Sequence, residues 1–123
     1  PSLADLEPLA ARTTAAGFRV DVEVVGVPRE VAPQVQASVF RVTQEGISNA
    51  LKHSGCAGCR VRLEYLPDSV VVEVVDEGSG RMSGPGTRSG LAGVRERVAL
   101  FGGTVEAGPA PSGGWRLRAG LPG

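Results

Sequence analysis

The chain has no excess of charge of either sign. Its 123 residues include 13 Lys and Arg and 13 Asp and Glu, which gives a formal net charge of zero. A nucleic-acid or anionic-membrane surface normally shows a basic excess, so neither role is favoured. No apolar run is long enough to span a bilayer, and the N-terminus lacks the hydrophobic core of a signal peptide. We therefore expect a cytoplasmic piece of a longer protein.

The length bounds the number of domains. A chain of 123 residues can build one hydrophobic core and is too short for two. We expect residues 1–123 to form a single domain. Its first 17 residues have leucines at helical spacing and end at Gly17, which indicates either a short helix or the remnant of a linker.

Residues that bind metals or carry redox chemistry are also scarce. The chain has one histidine, His53, and two cysteines, Cys56 and Cys59, in an HxxCxxC spacing. A structural zinc site needs four ligands, and these three do not supply them. A redox CxxC normally opens a helix after a strand, whereas here the pair follows a predicted helix. We interpret both cysteines as small residues in a turn between helix and strand.

The sequence has no GxxxxGK[ST] loop for phosphates, but it has an unusual helix from Arg41 to His53, RVTQEGISNALKH. At about 100° per residue, its residues divide into two flanks. The polar flank holds Arg41, Glu45, Ser48, Asn49 and Lys52. The apolar flank holds Ile47, Ala50 and Leu51 with Val35, Val39 and Val42. A carboxylate and a carboxamide one turn apart, with the chain's only lysine nearby, indicate a site that faces an anion.

The remaining periodicities predict a mixed α/β order. We predict a strand over 18–25, the central helix over 31–53, a hairpin of strands over 60–65 and 69–76, a short helix from Leu91 to Phe101, and strands over 104–107 and 115–121. Gly46 falls in the apolar arc of the central helix and predicts close packing against a sheet. The run VVVEVV at 70–75 predicts a strand covered on both faces. The glycine-rich segment 77–93 predicts a mobile loop without regular structure.

Three short motifs follow one another along the chain. They are ExxxN on the helix (Glu45, Asn49), DxGxG at a strand end (Asp76, Gly78, Gly80) and GLxGxRER at a helix start (Gly90 to Arg97). Each is weak alone, since DxGxG is most often a strand-ending turn. Their order and spacing, together with NALKH, are much more specific. From about residue 36 to 121, the chain resembles the ATP-binding domain of bacterial sensor histidine kinases, most closely the nitrate-sensor and lipid-fluidity-sensor subfamily, within the superfamily that includes gyrase B, Hsp90 and MutL.

The resemblance implies a fold and a base-binding site. The fold would be a two-layer α/β sandwich, a mixed sheet of about five strands with about three helices on one face. The carboxylate of Asp76 can accept a hydrogen bond from the amino group of adenine, where guanine has a carbonyl. We therefore expect ATP to be preferred over GTP. Gly78 and Gly80 would let the backbone approach the base closely.

The resemblance also implies how the phosphates and the metal are held. A lid over residues 81–89 and backbone N–H groups at the helix start, at Gly90, Leu91 and Gly93, would bind phosphates. Asn49 would bind Mg²⁺ through its side-chain oxygen, which suits a cation that takes few protein oxygens besides phosphates and water. Lys52 would act as a point charge on the phosphates. Glu45 would polarise or orient the incoming histidine nucleophile.

The phosphoacceptor would lie elsewhere. The family carries its acceptor histidine on a separate dimerisation helix, which this chain lacks, and His53 belongs to the ATP-site helix as a helix-end residue. The parent would be a homodimer that passes the phosphoryl group to an aspartate of a response regulator, with no nucleic-acid partner. Two alternatives stay open: an anti-sigma-factor-type serine kinase of the same fold, and a degenerate module that binds nucleotide or only docks a partner.

Two positions depart from the family pattern. Trp115 follows Gly113 and Gly114 where the family usually has a threonine whose hydroxyl contacts the base region. Arg81 follows Gly80 where an apolar residue usually anchors the lid. We expect the missing hydroxyl to weaken or reorganise base binding, and Arg81 to alter the ordering of the lid.

Overall fold

A computed structural model describes residues 2–53, 57–76, 86–111 and 114–123. A 3₁₀ turn, Leu3–Asp5, leads into helix α1, Leu6–Ala15, and strand β1, Arg19–Val25. Helix α2 covers Pro33–His53, and strands β2 and β3 cover Gly58–Tyr65 and Ser69–Asp76. Helix α3, Gly86–Leu100, precedes strands β4, Thr104–Pro109, and β5, Trp115–Pro122. None of the helices in these ranges has the length and hydropathy that a bilayer crossing requires.

The five strands form one mixed sheet in the order β1-β2-β3-β5-β4. Strands β1 and β2 are parallel because α2 connects them, and the other neighbours are antiparallel. The expected two-layer α/β sandwich, with five strands and three helices, is confirmed. The order places β3 at the centre, with its C-terminal residue Asp76 between β2 and β5.

One hydrophobic cluster lies between the sheet and the helices. It includes Leu6 and Ala10 of α1, so the N-terminal helix packs on the same core as the rest of the chain. Helix α2 approaches the sheet most closely at Gly46. A Cβ there would lie 2.8 Å from Cβ and Cγ2 of Val74, well inside normal contact distance. The predicted close packing of Gly46 on the sheet is confirmed, and its cause is the missing side chain.

The opposite face of the sheet is open, so the prediction that β3 is covered on both faces was wrong. Burial along β3 alternates between buried and half-buried residues, because all three helices contribute to the core on one side only. The open face carries charged side chains instead. One cross-strand row reads Glu23, Arg62, Glu73, Arg118 and Glu106, so that acids and bases alternate over all five strands.

Several element boundaries also differ from the predictions. Helix α3 begins at Gly86, so residues 86–93 are helical although the glycine-rich composition predicted a loop, and residues 77–85 lie outside the described ranges. Packing of Val94 and Val98 into the core stabilises this helix and outweighs the low helix propensity of glycine. Strands β4 and β5 also extend further than predicted, to Pro109 and Pro122.

Three apolar side chains are exposed, including Leu51, which was predicted to lie on the apolar flank of α2. Leu51 of α2 is 56% exposed, Val24 at the end of β1 is 46% exposed, and Phe101 after α3 is 36% exposed. Leu51 lies about 140° round the helix from Gly46, whereas the buried Ala50 is only about 40° away. The apolar arc of α2 is therefore narrower than the sequence suggested.

Candidate functional site

Helix α2 and strand β3 run in the same direction. Residues at their C-terminal ends therefore lie close to each other. Near the start of both elements, Gly123 lies against Val35, and its N–H donates to the carbonyl of Asp68. Further along, Gly46 packs on Val74. Three more helical residues advance about 4.5 Å and two more strand residues about 6.6 Å. The C-terminal turn of α2 after Gly46 therefore lies over the end of β3, where Asp76 is located.

The polar flank of α2 shows a gradient of burial that follows from its angle to the sheet. Asn49 lies about 60° round the helix from Gly46, Glu45 about 100° and Lys52 about 120°. Asn49 is 3% exposed, Glu45 is half-buried and Lys52 is exposed. The three residues therefore lie on one flank of α2 in order from the interior to the surface.

Asn49 has an unusual environment. In the part of the chain that the structure describes, its buried Nδ2 has no hydrogen-bond partner. A buried donor without a partner costs about 1–3 kcal/mol and is uncommon in folded proteins. A buried Nδ2 without a partner in this part of the chain is consistent with a side chain that binds a ligand.

Asp76 is the last residue of β3 and is 3% exposed. Its Oδ1 accepts a hydrogen bond of 3.1 Å from the backbone N–H of Trp115 at the start of β5. On its other side, the register pairs Asp76 with Cys59, which is fully buried on the same face of the sheet. A buried carboxylate at a strand end, below the helix turn that carries a buried carboxamide, is an arrangement that can recognise a polar ligand.

The structure does not test every predicted site residue. Gly78 and Gly80, most of the predicted lid including Arg81, and Cys56 lie outside the described residues. Gly90, Leu91 and Gly93 lie inside α3, which begins at Gly86, and are not at its first turn as predicted. Their backbone N–H groups are therefore helical donors here, and a role in phosphate binding stays a prediction. Gly93 is exposed, and nothing would contact a Cβ at this position within 4 Å.

The family pattern associated position 115 with the base region, but the sequence did not predict that the backbone of residues 114 and 115 contacts Asp76. A Cβ on Gly114 would overlap the carbonyl oxygen of Asp76 and would lie 3.0 Å from its Oδ1. The signals in the sequence were the pair Gly113 and Gly114 and the position of the family's threonine, and neither shows which strand this backbone approaches. The backbone of residues 114 and 115 therefore belongs to the site, although no side-chain motif identified it.

A second concave surface lies elsewhere. A groove of about 350 Å³ on the open face of the sheet is lined mainly by charged residues of β1, β2 and β3. Several of these side chains form ion pairs, as Arg62 does with Glu23 at 3.8 Å and Asp21 does with the neighbouring Arg19 at 3.3 Å. We therefore place the candidate site at the end of β3 and not in this groove. Within the described ranges, no three His, Cys, Asp or Glu side chains cluster closely enough to hold a metal ion.

Fold and site together define an α/β domain with a polar helix flank above the end of the central strand of a mixed sheet. The family model described as "Histidine kinase-, DNA gyrase B-, and HSP90-like ATPase" matches residues 34–123. The chain belongs to this family of ATPases, which confirms the resemblance that the three motifs indicated.

The chain matches segments of longer signalling proteins. The chain is 37% identical over 82 residues to the signal transduction histidine-protein kinase/phosphatase DegS of Bacillus subtilis, covering 63% of this chain and 21% of DegS. It is 36% identical over 92 residues to the methanol utilization control sensor protein MoxY of Paracoccus denitrificans, covering 69% of this chain and 20% of MoxY. The chain thus spans about a fifth of the length of these relatives.

Among solved structures, the chain is similar to the ATP-binding domain of PrrB from Mycobacterium tuberculosis. The TM-score is 0.70 at 30% identity, and the match covers all of this chain and 95% of that domain. This likeness extends over residues 2–32 as well, which precede the segment matched by the family model.

Proposed function

We propose that the chain is the ATP-binding catalytic domain of a two-component sensor histidine kinase. The observation that carries the proposal is the pair of buried polar side chains, Asn49 and Asp76, at the common end of α2 and β3 in a member of an ATPase family. The named relatives DegS and MoxY are a histidine kinase/phosphatase and a sensor protein, and the PrrB domain is described as ATP-binding. We include residues 2–32 in the domain, because α1 packs on its core.

Each site residue receives one role in this proposal. Asp76 accepts a hydrogen bond from the amino group of adenine and selects ATP over GTP. Lys52, exposed at the outer end of the polar flank, attracts the phosphates. Glu45, half-buried one turn before Asn49, orients or polarises the histidine that receives the γ-phosphoryl group.

The residues present fit a magnesium ion. The buried Nδ2 of Asn49 has no partner within the described residues, and the amide oxygen of the same side chain is of the ligand type that a hard cation takes. When bound, Mg²⁺ neutralises charge on the phosphates of the nucleotide. Asn49 would hold the ion through Oδ1, with the phosphates and water as the other ligands.

The partners of the proposed reaction lie outside this chain. The acceptor would be a histidine on a dimerisation domain of the parent protein, a homodimer, and the next acceptor would be an aspartate of a response regulator. The chain by itself is therefore expected to bind Mg-ATP without becoming phosphorylated. Incorporation of radiolabel from γ-labelled ATP into the purified chain would contradict this assignment of the acceptor.

Nucleotide binding is the first test. Calorimetric titration of the chain with Mg-ATP should show saturable binding, and Mg-GTP should bind at least about tenfold more weakly, because guanine offers a carbonyl to the Asp76 carboxylate. Asp76→Asn should lose ATP affinity. Asp68→Asn is the matched control, since Asp68 lies at the other end of the same strand in the β2–β3 turn. Absence of ATP binding at millimolar concentration, about 4 kcal/mol of affinity, would overturn the proposal.

Phosphoryl transfer is the second test and needs the parent protein. Glu45→Gln should retain ATP binding and lose transfer to the acceptor histidine, because the amide cannot act as a base or polarise the nucleophile in the same way. Glu7→Gln, an exposed change on α1, is the control. Normal transfer by the Glu45→Gln protein would show that its assigned role is wrong.

A further inference from the structure

Asp76 is held by the main chain of the last strand. Its Oδ1 accepts a hydrogen bond from the backbone N–H of Trp115, 3.1 Å away, in a place where the carboxylate is 3% exposed. A hydrogen bond from a main-chain N–H has a direction set by the sheet, so it fixes the rotation of the carboxylate.

The bond requires that β5 begin very close to Asp76, and Gly114 permits this approach. A Cβ on Gly114 would overlap the carbonyl oxygen of Asp76 and lie 3.0 Å from Oδ1. The overlapped atom belongs to the backbone of the central strand, which cannot move aside as a flexible side chain could. The position of Gly114 is also held by a second hydrogen bond, because its carbonyl accepts a 2.6 Å bond from the N–H of Ala110. Any larger residue at 114 would therefore push the start of β5 away from the carboxylate.

We propose that Gly114 and the backbone N–H of Trp115 form a positioning element that sets the adenine selectivity of Asp76. The inference rests on the proposed function, because it assumes that Asp76 is the base-reading residue. The indole of Trp115 is not part of the element, since the hydrogen bond comes from the main chain. In this assignment the backbone N–H at position 115 contacts Asp76 where the family usually has a threonine hydroxyl near the base.

The test compares two nucleotides that differ in the group that Asp76 would read. ATP carries an amino group on the purine ring where inosine triphosphate carries a carbonyl. The wild-type chain should bind Mg-ATP about 10- to 100-fold more tightly than Mg-ITP, the range expected for a hydrogen bond to a charged group. In Gly114→Ala, ATP affinity should fall to the level of ITP, and ITP affinity should stay unchanged. A general loss of structure would lower both affinities together.

Three further variants test whether Gly114 acts by positioning the Asp76 carboxylate. Gly108→Ala is the matched control on the neighbouring strand β4, because nothing lies within 4 Å of a Cβ there, and it should keep the ATP/ITP ratio. Trp115→Phe keeps the backbone N–H and should also keep the ratio. In an Asp76→Asn background, adding Gly114→Ala should change ATP affinity little, because the two substitutions then act on one interaction.

The outcomes distinguish the two proposals. If the wild-type chain binds neither nucleotide, or does not discriminate between them, the proposed function of Asp76 fails and this inference fails with it. If the wild type prefers ATP and Gly114→Ala keeps the preference, only the positioning role is wrong. If Trp115→Phe abolishes the preference while Gly114→Ala does not, selectivity comes from the indole. If Gly114→Ala lowers ATP affinity as much in the Asp76→Asn background as in the wild type, Gly114 does not act through the carboxylate.

Discussion

At the scale of single residues, the molecule depends on glycines that allow two elements to approach each other. Gly46 and Gly114 do this at opposite sides of the candidate site, the first against Val74 on the helix side and the second against Asp76 on the strand side. In both places a side chain would overlap atoms of the central strand β3. The distance between helix, central strand and last strand is therefore set by residues that have no side chain.

Gly46→Ala should destabilise the protein. Alanine is favoured over glycine in a helix by about 1 kcal/mol, but the added methyl group would lie 2.8 Å from Val74, and overpacking of this kind costs about 1–3 kcal/mol. We expect the free energy of unfolding, measured by urea denaturation, to fall. Gly93→Ala in α3 is the control, since nothing lies within 4 Å, and it should raise the free energy of unfolding by up to about 1 kcal/mol. Equal effects of the two changes would show that Gly46 is not in close contact.

The same Gly93→Ala variant tests the predicted role of Gly93 in phosphate binding. Packing in this structure gives no reason for a glycine at this exposed helical position. If the residue is needed for a nucleotide to approach the backbone, ATP affinity should fall about tenfold or more although stability rises, because a lost hydrogen bond to a charged phosphate is of that size. Unchanged ATP affinity by calorimetry would remove Gly93 from the site.

At the scale of elements, the two faces of the sheet are stabilised differently. The helix face is apolar and buried, whereas the open face relies on cross-strand pairs of opposite charge. Glu73 of the central strand lies at the middle of the charged row. Its Oε2 is 3.7 Å from Nη1 of Arg116 and 3.6 Å from Nη1 of Arg118, and its side chain is 19% exposed.

The position of a charged pair in the sheet should determine how much it contributes to the free energy of unfolding. Glu73→Gln removes the acid from two partly buried pairs and should lower the free energy of unfolding by about 0.5–1 kcal/mol, with a smaller loss at high salt. Glu23→Gln on the edge strand, whose side chain is 71% exposed, should have almost no effect. Thermal unfolding at low and high salt checks both values. A larger loss for Glu23→Gln would contradict this ranking.

At the scale of the whole molecule, one arginine connects three distant segments. Arg29 follows β1, and its Nη2 donates to the carbonyl of Leu66 at 2.6 Å, of Ser69 at 3.1 Å and of Gly123 at 2.6 Å. These carbonyls belong to the β2–β3 turn, the start of β3 and the residue after β5. The planar guanidinium therefore joins the ends of the central strands to the connection that leads into α2.

Arg29→Ala should lower the free energy of unfolding by about 1–3 kcal/mol, because three backbone carbonyls lose a charged donor. Arg29→Lys should recover only part of this loss, since an ammonium group lacks the planar fork of donors. Arg12→Ala, at an exposed position of α1, is the matched control and should be close to neutral. Denaturant unfolding of the three variants measures their free energies of unfolding and checks this ranking. An Arg29→Lys protein as stable as the wild type would contradict the bridging geometry.

Much of the fold was determined by local sequence. Alternating apolar residues predicted the strands, the helical spacing predicted α2 almost to its ends, and Gly46 was placed correctly against the sheet. The motif order predicted the ATPase family, which the comparisons confirm. These features depend on residues a few positions apart, whose periodicity directly reflects the geometry of a helix or a strand.

Only the tertiary structure decided which distant atoms meet. The exposure of Leu51, the open second face of β3 and the early start of α3 depend on where other elements pack, and a single segment does not contain that information. The same holds for the contact of Gly114 and Trp115 with Asp76, which lies 38 and 39 positions earlier in the chain. Strand register brings them together, because pairing across a sheet is fixed by the core that all the strands share.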